Sequence, residues 1–249
     1  MDPDPELRAI ATEALGSFHS PKVTPVLLNA LNDEPAICIE AIRALGRRKD
    51  LLPTIELVEH LSPCLRSNQE KIACESAKAL GRLGHEPATR ALGAIMNQPV
   101  ASTVKISAVR ALSWIAGPTA LEVLTTALSY DTVQVSPIVR QEIARALGHT
   151  RLPELQPQAA EALLAQLQTL SPEATPSHGN APTASPVTAP AFIAEHDSFG
   201  LKQTLISALA QLRQPQSIRT LIPFLADPEL RIKMHALSAL TQIDSQAAQ

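Results

Sequence analysis

Apolar residues recur along this chain at steps of four, three and one. Leu7, Ala11, Ala14 and Leu15 open the pattern. It returns as Ile37, Ala41, Ala44 and Leu45, as Ile72, Ser76, Ala79 and Leu80, and as Val104, Ala108, Ala111 and Leu112. Three further copies follow: Val139, Ile143, Ala146 and Leu147; Leu201, Leu205, Ala208 and Leu209; and Ile232, Ala236, Ala239 and Leu240. Such steps put all four residues on one stripe of an α-helix, whereas a strand would alternate in twos. The final Leu recurs at spacings of 30, 35, 32, 35, 62 and 31 residues, the 62 being one period plus an insertion of similar length. A fixed period in this range marks a helical repeat array.

After each of these first helices a polar turn leads to a second apolar stretch, ending for example at Leu31, Met96, Leu128 and Leu225. Asp4-Pro5, Asp33-Glu34-Pro35, Ser136-Pro137 and Asp227-Pro228 supply capping oxygens and a proline for the first helical turn. Gly16, Gly46, Gly81 and Gly148 follow the last stripe Leu, and glycine there predicts a left-handed C-terminal cap. The reading is all-α: an α-solenoid of about six and a half two-helix repeats, an α-α superhelix. Residues 1–170 hold repeats one to five, and 198–249 hold repeat six plus a terminal half repeat. Residues 171–197 carry prolines at 172, 176, 182, 186 and 190 among small polar residues, and read as a flexible loop.

The stretches DPDPELRAIATEALG (Asp2 to Gly16) and DPELRIKMHALSAL (Asp227 to Leu240) resemble the HEAT-like repeats named after phycobilisome lyases. The resemblance covers the chain apart from the proline-rich stretch. It implies an armadillo-like fold and says less of activity, because such repeats occur in scaffolds, in bilin-attaching lyases and in an iron-dependent protein hydroxylase.

Composition narrows the choice. Hydrophobic residues make up 45% of the 249 but aromatics only 2%, so the core is built of Ala, Leu, Ile and Val, which suits closely packed helices. A net charge of −3 gives no pull toward nucleic acid or an anionic membrane. There is no apolar signal region and no run of 18 apolar residues, so the expected location is cytoplasmic. Cys38, Cys64 and Cys74 are odd in number and lack CxxC spacing, which argues for small buried thiols over a disulfide framework or a zinc site.

Candidate chemistry is sparse. Arg43, Lys78, Arg110 and Arg145 form a basic ladder on the first helices, but Glu40, Glu75 and Glu142 precede three of them by three residues and neutralise it. On the second helices, six residues before the last Leu or Met, stand Pro25, Glu59, Arg90, Glu122 and Arg219, with Glu161 equivalent in repeat five. In arrays of this type the second helix lines the concave face, and the mixed charge of this set suits a protein partner. His85-Glu86 is a lone His-Glu dyad; the repeat-built hydroxylases are recognised by several, so a di-iron centre is not expected. No phosphate loop, HExxH or nucleophile motif occurs, so no catalytic residue, metal or cofactor is expected. The expectation is therefore a non-catalytic protein-binding scaffold or adaptor, with neither nucleic acid nor membrane as partner. Neither end shows a polar cap, so the terminal edges are also expected to meet further sequence or a partner. The alternative implied by the resemblance is a phycobilin lyase-type subunit or phycobiliprotein chaperone. Its transient ligand would be phycocyanobilin, with Arg90, Arg110 and Trp114 as contacts.

Overall fold

A computed structural model describes residues 3–18, 20–48, 54–132, 134–170 and 189–247. Among them run thirteen α-helices and no strand. In chain order they are α1 (Pro5–Leu15), α2 (Thr24–Ala30), α3 (Pro35–Leu45), α4 (Thr54–Leu61), α5 (Glu70–Leu83), α6 (Glu86–Ala94) and α7 (Ser102–Ile115). Then come α8 (Pro118–Ser129), α9 (Pro137–Gly148), α10 (Gln156–Thr169), α11 (Ala189–Leu212), α12 (Ile218–Leu221) and α13 (Leu230–Ala247). The odd-numbered helices carry the repeated stripe and the even-numbered ones are the second helices of each repeat. No described helix is long and apolar enough to cross a membrane.

The chain divides into two compact halves, Met1–Leu124 and Thr125–Gln249, with α8 running across the division. In the first half α1, α3, α5 and α7 pack in succession, with α2, α4 and α6 against them as a second layer. In the second half α9, α11 and α13 stack in the same way, with α10 and α12 alongside. Local sequence sets the starts: Pro5 lies in the first turn of α1, and the Asp4 carboxylate accepts the Glu6 N–H at 2.9 Å.

Within each half the stripe is core. Ile37, Ala41, Ala44 and Leu45 are all but fully buried, as are Ala79, Leu80, Ala111, Leu112, Leu205 and Leu209. Ser76, the only polar residue on the stripe, is buried too, and its hydroxyl donates to the carbonyl of Leu61 at the end of α4 at 2.7 Å. The stripe of α1 differs: Leu7, Ala11 and Ala14 are exposed, because no described helix covers that side.

Two sequence expectations need correction. Gly16 and Gly46 have right-handed dihedrals, Gly81 lies inside α5 and Gly148 ends α9, so none is a left-handed cap. Their role is close approach. A Cβ on Gly46 would lie 2.6 Å from Ala79 Cβ and 2.8 Å from its Cα; on Gly81 it would meet Ala111 at 2.7 and 2.9 Å, and on Gly148, Ala208 at 2.7 and 2.8 Å. The glycine of one repeat thus seats the stripe alanine of the next. A left-handed glycine does end α5, but it is Gly84 (φ 72°).

The second correction concerns the proline-rich stretch. Residues 171–188 lie outside the described residues, but α11 begins at Ala189, so the last nine residues assigned to the loop are helical. The sequence accounts for this. Pro190, the last of the five prolines, falls in the first turn, where the missing N–H costs nothing, and Ala191 and Ala194 favour helix.

Polar links join successive repeats. In the first half the Arg8 guanidinium donates to both Asp33 carboxylate oxygens at 3.0 Å, and Arg43 Nε donates to Glu75 Oε2 at 3.1 Å. Thr103 donates to Glu70 at 2.6 Å and Arg66 to Gln98 at 3.1 Å. Buried Arg48 donates to the carbonyls of Phe18 and Ser20 at 2.6 and 2.7 Å, tying the turn of repeat one to the end of α3. In the second half Lys202 donates to the buried Asp227 at 3.3 Å, and Gln203 Nε2 hydrogen-bonds His235 Nε2 at 2.8 Å.

Candidate interaction surface

Each layer buries the side that meets the other, so two surfaces stay open. The outer side of the first layer carries the basic ladder, and its carboxylates stand where the sequence placed them. Arg43 donates to Glu40 at 2.7 Å, Lys78 to Glu75 at 2.8 Å and Arg145 to Glu142 at 3.1 Å. Sequence reasoning missed the further Arg43–Glu75 bond, which turns two intrahelical pairs into one network spanning two repeats. Burial alone pushes the Glu75 carboxyl up, but the hydrogen bonds from Arg43 and Lys78 outweigh it and hold the group below its ordinary value. Asp33 is held low by the Arg8 hydrogen bond and then by the Glu34 backbone N–H.

The second layer carries the mixed-charge set. Glu59 on α4, Arg90 on α6, Glu122 on α8, Glu161 on α10 and Arg219 on α12 are all exposed. The first three belong to one half and the last two to the other. Arg90 donates to Glu86 one turn before it at 2.7 Å. Beside these charges stand large apolar side chains that sequence reasoning did not single out. Ile55, four residues before Glu59, is 55% exposed, and Ile222, three after Arg219, is 52% exposed. At those spacings each aliphatic shares the exposed side with its charge.

The three residues suggested as bilin contacts lie on two neighbouring helices of different layers. Arg110 and Trp114 lie one turn apart on the outer side of α7, in the first layer, with Trp114 55% exposed and leaning over Gly81. Arg90 is exposed on α6, in the second layer. His85 precedes α6 as an exposed turn residue whose carbonyl accepts the Thr89 N–H at 3.1 Å. Among the described residues no three His, Cys, Asp or Glu side chains are grouped to hold a metal.

The terminal repeats add apolar surface. In the first half a cavity of about 370 Å³ opens between α1, α2 and α3, lined by Leu7, Ala11, Leu15, Val26 and Ile37 among others. In the second half Leu230, Met234 and Leu237 follow one another along the exposed side of α13.

Stacked two-helix units with small-residue contacts between first helices define a repeat solenoid. The chain belongs to the HEAT repeat family: the family model described as HEAT repeats matches residues 1–72 and 58–136, together more than half of the chain. No curated protein matches it. Similar solved structures include human deoxyhypusine hydroxylase in complex with glycerol, 20% identical over 98% of this chain and 81% of that one, with a TM-score of 0.44. The complex of CpcE and CpcF of phycocyanin lyase from Nostoc is 18% identical over 98% and 91%, with a TM-score of 0.46. The archaeal HEAT-like repeats protein from Thermococcus onnurineus is 14% identical over 98% and 99%, also at 0.46. Likeness at this level carries no argument about activity.

Proposed function

We propose that this chain is a non-catalytic protein-interaction scaffold that binds another protein through the exposed faces of its second-layer helices. The observation that carries the reading is the pairing of charge with exposed aliphatic surface, Ile55 with Glu59 and Ile222 with Arg219. Large aliphatics left in water favour a partner that buries them, at about 25 cal/mol per Å². The neighbouring charges of both signs set register and orientation, which suits a protein and not a polyanion. Each half carries such a surface. The uncovered sides of α1 and α13 extend the reading to the edges, where a partner would bury Leu7 and Ile10, or Leu230, Met234 and Leu237.

The test is quantitative capture from an extract of the source cells. The wild-type chain is compared with Ile55→Asp/Glu59→Lys, with Arg219→Glu/Ile222→Asp, and with Arg110→Glu as a first-layer control. A specific partner should fall at least about tenfold, the equivalent of 1.4 kcal/mol, with one of the second-layer variants and be retained by Arg110→Glu. Equal yields from all four chains would overturn the proposal.

A further inference from the structure

In repeats one and six, the residue after the first stripe aliphatic is a cation that reaches the end of the following second helix 25 residues on: Arg8 to Asp33 and Lys202 to Asp227. In repeat two that register position is Cys38, on α3. The group it meets is Cys64, 26 residues on, in the 3-10 turn Pro63–Arg66 that follows α4. The two thiols interact with each other and line one surface pocket of about 330 Å³ with Asn32, Pro35, Ser67 and Gln69. Cys38 is buried, whereas Cys64 is half-buried and its Sγ also reaches the His60 carbonyl at 3.9 Å. The sequence reading of small buried thiols therefore fits Cys38 and misses the pairing.

We propose that Cys38 and Cys64 form a reversible oxidation site, in which a small hydroperoxide entering the pocket is reduced and the two thiols close to a disulfide. The Cys64 thiolate attacks the peroxide oxygen; the O–O bond breaks, an alcohol or water leaves, and Cys64 becomes a sulfenic acid. The Cys38 sulfur then attacks the Cys64 sulfur, the S–O bond breaks and water leaves with the Cys38 proton. Two electrons pass from the dithiol to the peroxide, and any thiol reductant reverses the change. The division of roles follows from the environment. The interaction with Cys38, acting against burial, lowers the Cys64 thiol to about 7, while the same interaction and then burial push Cys38 upward. Cys64 is thus the more exposed and more readily ionised partner, and Cys38 the resolving one. The product is a covalent strap between α3 and the end of α4, in the place where repeats one and six use an ion pair.

The full chain, reduced and then treated with one equivalent of hydrogen peroxide, should lose two of its three thiols and about 2 Da in mass. The cysteines fall in separate tryptic peptides, 23–43, 50–66 and 72–78, so the first two should appear joined and the third free. The melting temperature should rise by about 5 °C or more and return on adding dithiothreitol, because the bridge closes a long loop in the unfolded chain. In Cys38→Ala the bridge is lost, a dimedone adduct accumulates on Cys64, and the pH midpoint for alkylating Cys64 moves above its wild-type value. Cys64→Ser, at a half-buried position, removes the bridge without disturbing the core and serves if Cys38→Ala does not fold. A dimedone adduct that persists on wild-type Cys64, consumption of Cys74 at the same rate, or disulfides only between chains would each overturn the assignment.

Discussion

Replacing Gly81 by alanine tests the packing logic directly, because two effects of opposite sign meet there. Gly81 lies within α5 at right-handed dihedrals, so propensity alone favours alanine by about 0.8–1.0 kcal/mol. The added methyl, however, would stand 2.7 Å from Ala111 Cβ, 2.9 Å from Ala111 Cα and 3.3 Å from Trp114 Cε3. Carbon atoms settle at about 3.5–4.0 Å, so α5 and α7 must separate by most of an ångström, and the obstacle includes backbone that cannot rotate away. Overpacking of this kind costs about 1–3 kcal/mol, and the upper part of that range applies where no side chain can yield. The net expectation is a loss of about 1–2 kcal/mol, or a melting temperature lower by about 3–6 °C. Gly200, inside α11, is the matched control. Its would-be Cβ meets only the Nε2 end of the Gln141 side chain at 2.7 Å, which can swing aside, so Gly200→Ala should gain up to about 1 kcal/mol. Thermal and urea melts followed by circular dichroism at 222 nm measure both. Adding Ala111→Gly to Gly81→Ala should rescue only in part, since the backbone of α7 still stands in the way of the new methyl. If Gly81→Ala stabilises the chain as Gly200→Ala does, the close-approach argument fails.

Ala111→Glu should abolish cooperative unfolding, because a carboxylate at that fully buried position has no partner and costs several kcal/mol, whereas Arg110→Glu, on the exposed side of the same helix, should keep a cooperative melt. Ala146→Glu, at the equivalent but half-buried position, should be much milder, which comparison of the same melts decides. Glu75 is held below its ordinary value, so its contribution is full above about pH 4.5 and disappears as pH falls through the lowered folded value. The difference in urea midpoint between wild type and Glu75→Gln should therefore be constant from pH 7 to 5 and shrink below pH 4; a difference that grew on acidification would refute the network. Arg48→Met strands the carbonyls of Phe18 and Ser20 and should cost about 2–3 kcal/mol, with Arg48→Lys recovering only part because an ammonium lacks the fork that reaches both.

The repeat could be read from the chain because its signal is local: the stripe depends only on steps of three and four, and each stripe fell on a helix. The intrahelical pairs Arg43–Glu40, Lys78–Glu75 and Arg145–Glu142 were legible for the same reason. What escaped depends on contacts between repeats. A glycine after Leu reads as a cap until the next helix is in place, and only then does the methyl-sized gap above Ala79 or Ala111 show what excludes a side chain. Five prolines in a row of small polar residues read as loop beyond Ala189, yet the last of them sits in the first turn of α11, where proline breaks nothing. The surface of the second helices was legible as a register but not as chemistry, since Ile55 and Ile222 look like core residues until the buried side of their short helices is known. The register also holds information that only the folded chain decodes. The position after the first aliphatic reads Arg8, Cys38, Ala73, Lys105, Arg140, Lys202 and Lys233. Arg8 reaches Asp33, Lys202 reaches Asp227 and Arg140 reaches the carbonyl of Tyr130, each outside its own helix. A cation at this register on an otherwise apolar helix side is hard to account for as solvation, but it follows where a first helix is strapped to the end of a neighbouring second helix, as Arg8, Lys202 and Arg140 do, while Ala73 leaves repeat three without one. In repeat two the same register position holds a thiol, Cys38, whose neighbour at the end of the second helix is another thiol, Cys64.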